Sequence, residues 1–192
     1  MQMRIAFCGL MRSGKDTSAD YFQQKHSGII LKFADPLYEM SAACFKIAGI
    51  EPFKHRGMLQ YLGTEVFRAI DPNIWVNLLL KKLDNPSLTN IYCTDMRFAN
   101  EEEALRGAGF IIVKLEAPQE SLTERGAALT THESERFMLS YKDADYTIIN
   151  DGTLEDLHAK LDILYQAIQS SSNSSSISPS LLPKKAESQL IC

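Results

Sequence analysis

Gly9-Leu-Met-Arg-Ser-Gly14-Lys15-Asp16-Thr17 carries the spacing G-x-x-x-x-G-K, and its flanks decide how it folds. Upstream, Met3-Arg-Ile-Ala-Phe-Cys8 is a short apolar run that stops at Gly9; downstream, Asp16 to His26 is helix-forming. Strand, glycine loop and helix in that order are what a phosphate-binding loop requires. Gly9 and Gly14 let the backbone curl so that successive N–H groups point inward. The helix start adds partial positive charge, and Lys15 can bridge β and γ phosphates. The remaining loop residues Arg12 and Ser13 fall inside the same cradle. Asp16 departs from the pattern, which expects Ser or Thr at the Mg²⁺ position; Thr17 offers a hydroxyl one residue later.

The alternation continues outward from this loop. Gly28 to Lys32 is strand-like, and Asp35-Pro36 caps and opens a helix to about Ala48, with Pro at the first helical position. Helices are predicted over His55 to Ala69 and Asn73 to Leu83, followed by a buried strand, Asn90 to Thr94, that ends at Asp95. Glu101 to Gly109 reads as helix, Phe110 to Leu115 as strand, Tyr146 to Ile149 as a last strand, and Thr153 to Gln169 as a helix. Alternating strands and helices predict a doubly wound α/β sheet of about five strands. Between the fourth and fifth strands, Ala117 to Tyr141 is polar and fits no strand. A mobile flap and two short surface helices, the second capped by Thr130 and Glu133, both suit it. Eight of the eleven residues from Ser170 to Ser180 are Ser, so residues 170–192 are expected to be a disordered tail behind a single domain over 1–169.

Composition narrows the partners. The chain has 192 residues and a formal net charge of -4, enough for one core and one cleft but without the positive field that sequence-independent nucleic acid binding needs. No apolar run approaches the roughly 20 residues of a membrane span, and the N-terminal segment is short for a signal peptide, so a cytoplasmic protein is expected. Cys8, Cys44, Cys93 and Cys192 form no C-x-x-C pair and no zinc-ligand spacing, so reduced thiols are expected.

Other residues could carry chemistry. Asp95 closes an apolar strand and would sit at the carboxyl edge of the sheet, where ligands of open α/β sheets bind; Arg97 would share that edge and could hold a phosphate bidentately. A structural Asp95–Arg97 ion pair is the plainer alternative. In the helix His55 to Ala69, Leu59, Leu62, Val66 and Ala69 make an apolar face, while Arg56, Gln60, Gly63, Thr64 and Arg68 make a polar one. Gly63 costs roughly 1 kcal/mol against Ala in a helix interior, which suggests a close approach there. Trp75 could stack on a base, although core packing suits it better. His132 reads as a surface histidine. Asn150 and Gly152 could meet an adenine edge or simply make the turn before the last helix.

Several of these pieces occur together in one family. The Arg-Ser-Gly-Lys-Asp-Thr loop ending at Thr17, Gly63-Thr-Glu65 with Arg68, Asp71-Pro-Asn-Ile-Trp75, Asp95-Met-Arg97-Phe-x-Asn100-Glu101 and Ile149-Asn-Asp-Gly152 resemble the deoxynucleoside monophosphate kinases of bacteriophages. The resemblance spans roughly Met3 to Tyr165. It implies a P-loop kinase fold with strand order 2-3-1-4-5, a monophosphate-binding insert over about 35–88 and an arginine-bearing lid over about 117–141. It also makes Asp normal at the position of Asp16. Carried over by motif, Gly9, Arg12 and Ser13 to Thr17 would hold ATP, with Asn150 and Gly152 nearby. Arg56, Gln60, Gly63, Thr64, Arg68, Trp75, Asp95, Arg97 and Glu101 would line the acceptor site. Lys15, Arg97, Asp95 and, in the lid, Arg125 would serve catalysis; Thr17 and Asp16 are the candidate side chains for Mg²⁺.

The resemblance thus implies ATP-dependent phosphorylation of a deoxynucleoside monophosphate, with these two small molecules as partners, no nucleic acid polymer and no membrane. A homodimer fits such a family, though no periodicity shows one, and the location would be the host cytoplasm for a viral source. The rivals are another small-molecule P-loop kinase, such as one acting on dephospho-coenzyme A, and a catalytically inactive nucleotide-binding regulator. The absence of an N-K-x-D guanine motif argues against a GTPase switch.

Overall fold

A computed structural model describes residues 2–126, 133–174 and 189–191. The strands are β1 (Arg4–Cys8), β2 (Ile29–Ile30), β3 (Ile91–Cys93), β4 (Ile111–Glu116), β5 (Tyr146–Ile149) and β6 (Gln189–Ile191). Every pairing is parallel, in the order β2-β3-β1-β4-β5-β6. The predicted order of the first five strands is therefore present, with a sixth strand added at the β5 edge.

Successive strand residues point to opposite faces, and here that alternation sorts side chains into two cores. Ile5, Phe7, Tyr92, Val113, Leu115 and Ile148 pack on one face with Ala19 and Phe22 of α1 (Lys15–His26) and Leu157, Leu161 and Leu164 of α8 (Leu154–Ser174). Ala6, Cys8, Ile91, Cys93 and Ile112 pack on the other, against Leu37, Trp75 and Leu79, Leu105, and Met138. Those come from α2 (Asp35–Ile47), α4 (Ile74–Leu83), α5 (Ala99–Gly107) and α7 (Glu133–Ser140) respectively. Both faces are covered, which is why the strands read as continuous apolar runs.

Three local expectations change. The helix predicted over His55 to Ala69 is α-helical only as α3 (Arg56–Gln60) and continues as a π-helix over Tyr61–Arg68. The wider turn lets the inward face step from Leu62 to Phe67, which meets Trp75 edge-on, and leaves Ala69 exposed. The apolar face is thus Leu59, Leu62 and Phe67, and the predicted Val66 and Ala69 do not continue it.

Residues 117–141 contain α6 (Gln119–Glu124) and α7, as the two-helix reading expects. Their C-terminal part belongs to the body: Met138 and Tyr141 are buried, and Lys114 Nζ donates to Tyr141 O at 2.7 Å. Thr130, His132 and the predicted cap lie outside the described residues.

The last helix does not stop at Gln169. It runs to Ser174, with the Ser170 and Ser171 hydroxyls bonding back to Gln166 O and Ala167 O. Gln189–Ile191 then pairs with Tyr146–Ile148. Residues 170–174 therefore extend the last helix and 189–191 form a strand within the stretch expected as a tail; an unpaired parallel edge at β5 is met by a short β-prone segment of the same chain. Residues 175–188 lie outside the described residues. Cys8, Cys44 and Cys93 are free thiols, and no described helix is long and apolar enough to cross a membrane.

Candidate phosphate-transfer site

The loop after β1 is held in a curled form by backbone that favours glycine. Gly9 has φ 136°, Arg12 67° and Gly14 106°. A Cβ on Gly9 would lie 2.2 Å from Leu115 O, so β4 presses directly on the loop and no side chain fits there. Gly14 caps α1 and, as a glycine, brings no side chain of its own to the helix start. Lys15 folds over its own loop, its ammonium donating to Leu10 O at 2.6 Å. Ser13 is fully buried beneath the loop, and its hydroxyl has no partner among the described residues.

This loop opens into a cleft of about 930 Å³ at the carboxyl end of the sheet. Eight cationic side chains line it: Arg12, Lys15, Lys32, Lys54, Arg56, Arg68, Arg97 and Arg125, against only Asp16, Asp95 and Glu101. In an acidic chain this is a strong local reversal of charge, and it focuses positive potential where two anions would meet. Of the residues that the family resemblance places at the site, Gly9 and Ser13 belong to the loop behind the cleft wall, and the others line the cleft.

Within the cleft, some residues face the open space and others hold their neighbours in place. Asp95 accepts backbone N–H groups from Phe33 at 3.0 Å and Ala34 at 2.9 Å, and so fastens the start of the insert to the end of β3. Burial raises its pKa, and those two N–H donors pull the other way. Glu101 accepts from the backbone N–H of Arg97 at 2.6 Å and of Phe98 at 3.1 Å, and from the Arg68 guanidinium. Arg68 also lies 4.1 Å over the Phe98 ring and donates to Pro72 O. Burial pushes Glu101 up to about 7, against the attraction of Arg68. Arg68 and Glu101 thus set the turn that carries Arg97.

Trp75 is 3 % exposed, with its indole N–H bound to Gly63 O at 3.0 Å. That is the core role, and the suggested base-stacking face is largely covered. The close approach expected at Gly63 is real, but the neighbour is Leu37: a Cβ would lie 2.9 Å from its Cδ1. Asn150, likewise, turns its amide to Ser13 O at 2.9 Å, supporting the loop, so the amide is used there instead of at an adenine edge. Gly152 leaves room for Asp156, whose carboxylate accepts from Thr153 N and Oγ1 to cap α8. Arg125 closes α6 and donates to Asn150 O at 3.5 Å, which brings this arginine beside the loop.

Asp16 accepts from Lys32 Nζ and Thr94 Oγ1, each at 2.8 Å and both at Oδ1. Burial opposes its charge, but these two bonds outweigh it and hold the carboxyl below its ordinary value. Thr17 is exposed at the cleft. Among the described residues no three His, Cys, Asp or Glu side chains gather as a metal cage. The donors present suit an ion such as Mg²⁺ that keeps water and phosphate oxygens as most of its ligands. Lys32, Lys54 and Tyr38 were not singled out in the sequence; nothing in their local spacing separates a cleft lysine from a surface one.

Comparison with known proteins places the chain among kinases by family and fold. The chain aligns with protein ORF77 of Ictalurid herpesvirus 1 (strain Auburn) at 35% identity over 153 residues, covering 78% of this chain and 64% of that protein. The chain thus spans less than two thirds of that relative's length. It aligns with the "Putative deoxynucleotide monophosphate kinase" of Acanthamoeba polyphaga mimivirus at 27% identity, covering 82% of this chain and 93% of that one. Shikimate kinase from Aquifex aeolicus vf5 shares the fold with a TM-score of 0.52 at 20% identity, over 89% of this chain and 99% of that one. The family model described as "Deoxynucleotide monophosphate kinase" matches residues 38–161, which include Arg56, Asp95, Arg97 and Arg125. The chain belongs to the deoxynucleotide monophosphate kinase family.

Proposed function

We propose that the protein transfers the γ-phosphoryl group of ATP to a deoxynucleoside monophosphate, giving the diphosphate and ADP. The observation that carries this reading is the single cleft in which the phosphate loop and the arginine-bearing sheet edge face each other with eight cations around them. Family membership supports a deoxynucleotide as the acceptor.

In this reading Gly9, Arg12 and Ser13 to Thr17 cradle the triphosphate, and the acceptor phosphate lies toward Arg97 and Arg56. The acceptor is already an anionic oxygen near neutral pH, so no general base is required. That oxygen forms a bond to the γ-phosphorus as the bond from it to the β–γ bridging oxygen breaks, and the bridging oxygen leaves on ADP. The difficulty is the approach of two anions in line. Lys15, Arg97 and Arg125 offset that repulsion and stabilise charge on the transferred group. Asp95, Arg68 and Glu101 act by holding the insert and the Arg97 turn in place. Gln60 and Thr64 remain to meet the nucleoside. Thr17 would hold Mg²⁺, with Asp16 close by; the ion would supply charge neutralisation between the phosphates. Closure of the α6 segment over the loop would exclude water and protect ATP from hydrolysis.

The test is ADP release from Mg-ATP with each deoxynucleoside monophosphate, its ribonucleotide counterpart and dephospho-coenzyme A, with Lys15→Ala as the blank. Lys15-dependent turnover with deoxynucleotides is expected. Turnover with dephospho-coenzyme A alone, or ATP binding with no acceptor-dependent ADP, would overturn the reading in favour of another kinase or a regulator.

A further inference from the structure

Lys32 stands at a junction that no motif marks. It follows β2, and its neighbours Phe33 and Ala34 are pinned by the Asp95 carboxylate. Its own backbone N–H donates to Asp35 Oδ2 at 3.1 Å, which tightens the same turn. From there the side chain crosses to the first turn of α1 and meets Asp16 Oδ1 at 2.8 Å, one residue after Lys15. Thr94, at the end of β3, donates to that same oxygen. Lys15, Asp16, Lys32, Thr94 and Asp95 all line the cleft. The ammonium therefore sits between the phosphate loop on one side and the sheet edge of Asp95 and Arg97 on the other.

As a stabilising ion pair this contact is weak. The Lys32 and Asp16 side chains are 34% and 68% exposed, a setting in which ion pairs contribute little. Its geometry is nevertheless over-determined: Asp35 holds the lysine's own backbone N–H, Asp95 holds the next two, and Asp16, itself steadied by Thr94, fixes the ammonium. An ammonium has three donors, so one can stay on Asp16 while another reaches a ligand. The departure at position 16 then has a role of its own. Where the usual loop places a hydroxyl, this chain places a carboxylate that is already engaged by a lysine and a threonine.

Resting on the reading of this cleft as the phosphate-transfer site, we propose that Lys32 is a second phosphate-binding lysine, contacting the terminal phosphate of the bound triphosphate, and that Asp16 is the positioning residue that aims it. Lys15 serves the β and γ phosphates from the loop side; Lys32 serves the γ-phosphate from the acceptor side, where that group must pass.

Isothermal titration of the full chain with Mg-ATP and with Mg-ADP tests this without requiring turnover. Lys32→Ala is expected to raise the ATP dissociation constant about tenfold, the size of one charge-assisted hydrogen bond, while leaving ADP within about twofold. Lys32→Arg should recover part of the loss. Asp16→Asn should weaken ATP less, and should add nothing in the Lys32→Ala background. Lys25→Ala is the control: it removes a comparably exposed ion pair, with Asp162 at 2.6 Å, outside the cleft, and should change neither constant. Unchanged ATP affinity, or equal weakening of ATP and ADP, in Lys32→Ala would overturn the proposal. If that variant melts well below the Lys25→Ala control, Lys32→Gln replaces it in the same titrations, with the same criteria. Selective loss of ATP affinity in a protein that phosphorylates no deoxynucleotide would uphold Lys32 and overturn the proposed function instead.

Discussion

The side-chain amide of Asn150, at the end of β5, donates to Ser13 O at 2.9 Å, and its nitrogen lies 2.6 Å from where a Cβ on Gly14 would stand. A residue 137 positions away thus closes the phosphate loop from behind. The bond is buried, with Asn150 6% exposed, so Asn150→Ala leaves a buried carbonyl without its donor. The expected cost is ~1–3 kcal/mol, read as a lower urea midpoint at unchanged slope. Asn150→Asp should cost more, because it turns a carboxylate oxygen toward Ser13 O. Equal midpoints for wild type and Asn150→Ala would show that the amide does not support the loop.

The Arg68–Glu101 pair permits a sharper prediction, because both side chains are largely buried, 14% and 2% exposed. Removing one member strands the other: Arg68→Met is expected to cost ~3–5 kcal/mol, well above an exposed pair. The two N–H donors from Arg97 and Phe98 remain on Glu101. Arg68→Lys keeps the charge but loses the planar fork over Phe98, and should recover only part of the stability. Urea unfolding of the three proteins checks this; a loss below about 1 kcal/mol for Arg68→Met would place the pair with surface bridges.

The parts of this site that were legible in the sequence are those with fixed local spacing. Gly9, Gly14 and Lys15 are readable because a curled loop between a strand and a helix admits few other patterns, and Asp95 and Arg97 because they end an apolar strand. The π-helix was not legible. Its inward residues Leu62 and Phe67 are five apart, a period that α-helical reading assigns to different faces, and Val66 and Ala69 took their place. Neither was the work done by Asn150, Glu101 and Lys32. Each acts on a backbone or side chain brought near by the sheet order, and local spacing holds no record of that order. The last strand was not legible for a third reason: Ser-rich composition hides that Gln189–Ile191 meets an open edge of β5.

Trp75 and Gly63 give a test of whether the tryptophan is core or platform. Trp75→Phe keeps an aromatic ring beside Phe67 but removes the N–H that satisfies Gly63 O. The expected result is ~1–3 kcal/mol lost in stability with an unchanged KM for the acceptor nucleotide. A stacking platform would behave differently in Trp75→Leu, whose loss of a base–aromatic contact would raise KM by about tenfold or more. A KM for Trp75→Leu that stays at the wild-type value, alongside reduced stability, is what the buried indole predicts.

His26 gives the chain a defined response to acid. Its ring stacks on Tyr165, with centroids 3.8 Å apart and planes within 5°, and meets Phe22 edge-on at 5.3 Å. Its Nε2 is buried with no hydrogen-bond partner among the described residues. Burial, helped by the charge of Lys25 and opposed by Asp162, pulls its pKa below the ordinary 6.5. The folded state therefore resists taking the proton that the unfolded chain accepts near pH 6.5. Below that value the unfolded state binds more protons, so stability rises with pH there and is lost as pH falls from 6.5 toward and through the folded pKa. His26→Phe keeps an aromatic partner for Tyr165 and removes the titrating nitrogen. Urea midpoints taken across this range should fall less steeply with acid in His26→Phe than in the wild type. Parallel curves would mean that the imidazole titrates freely and that the stack does not exclude its charge.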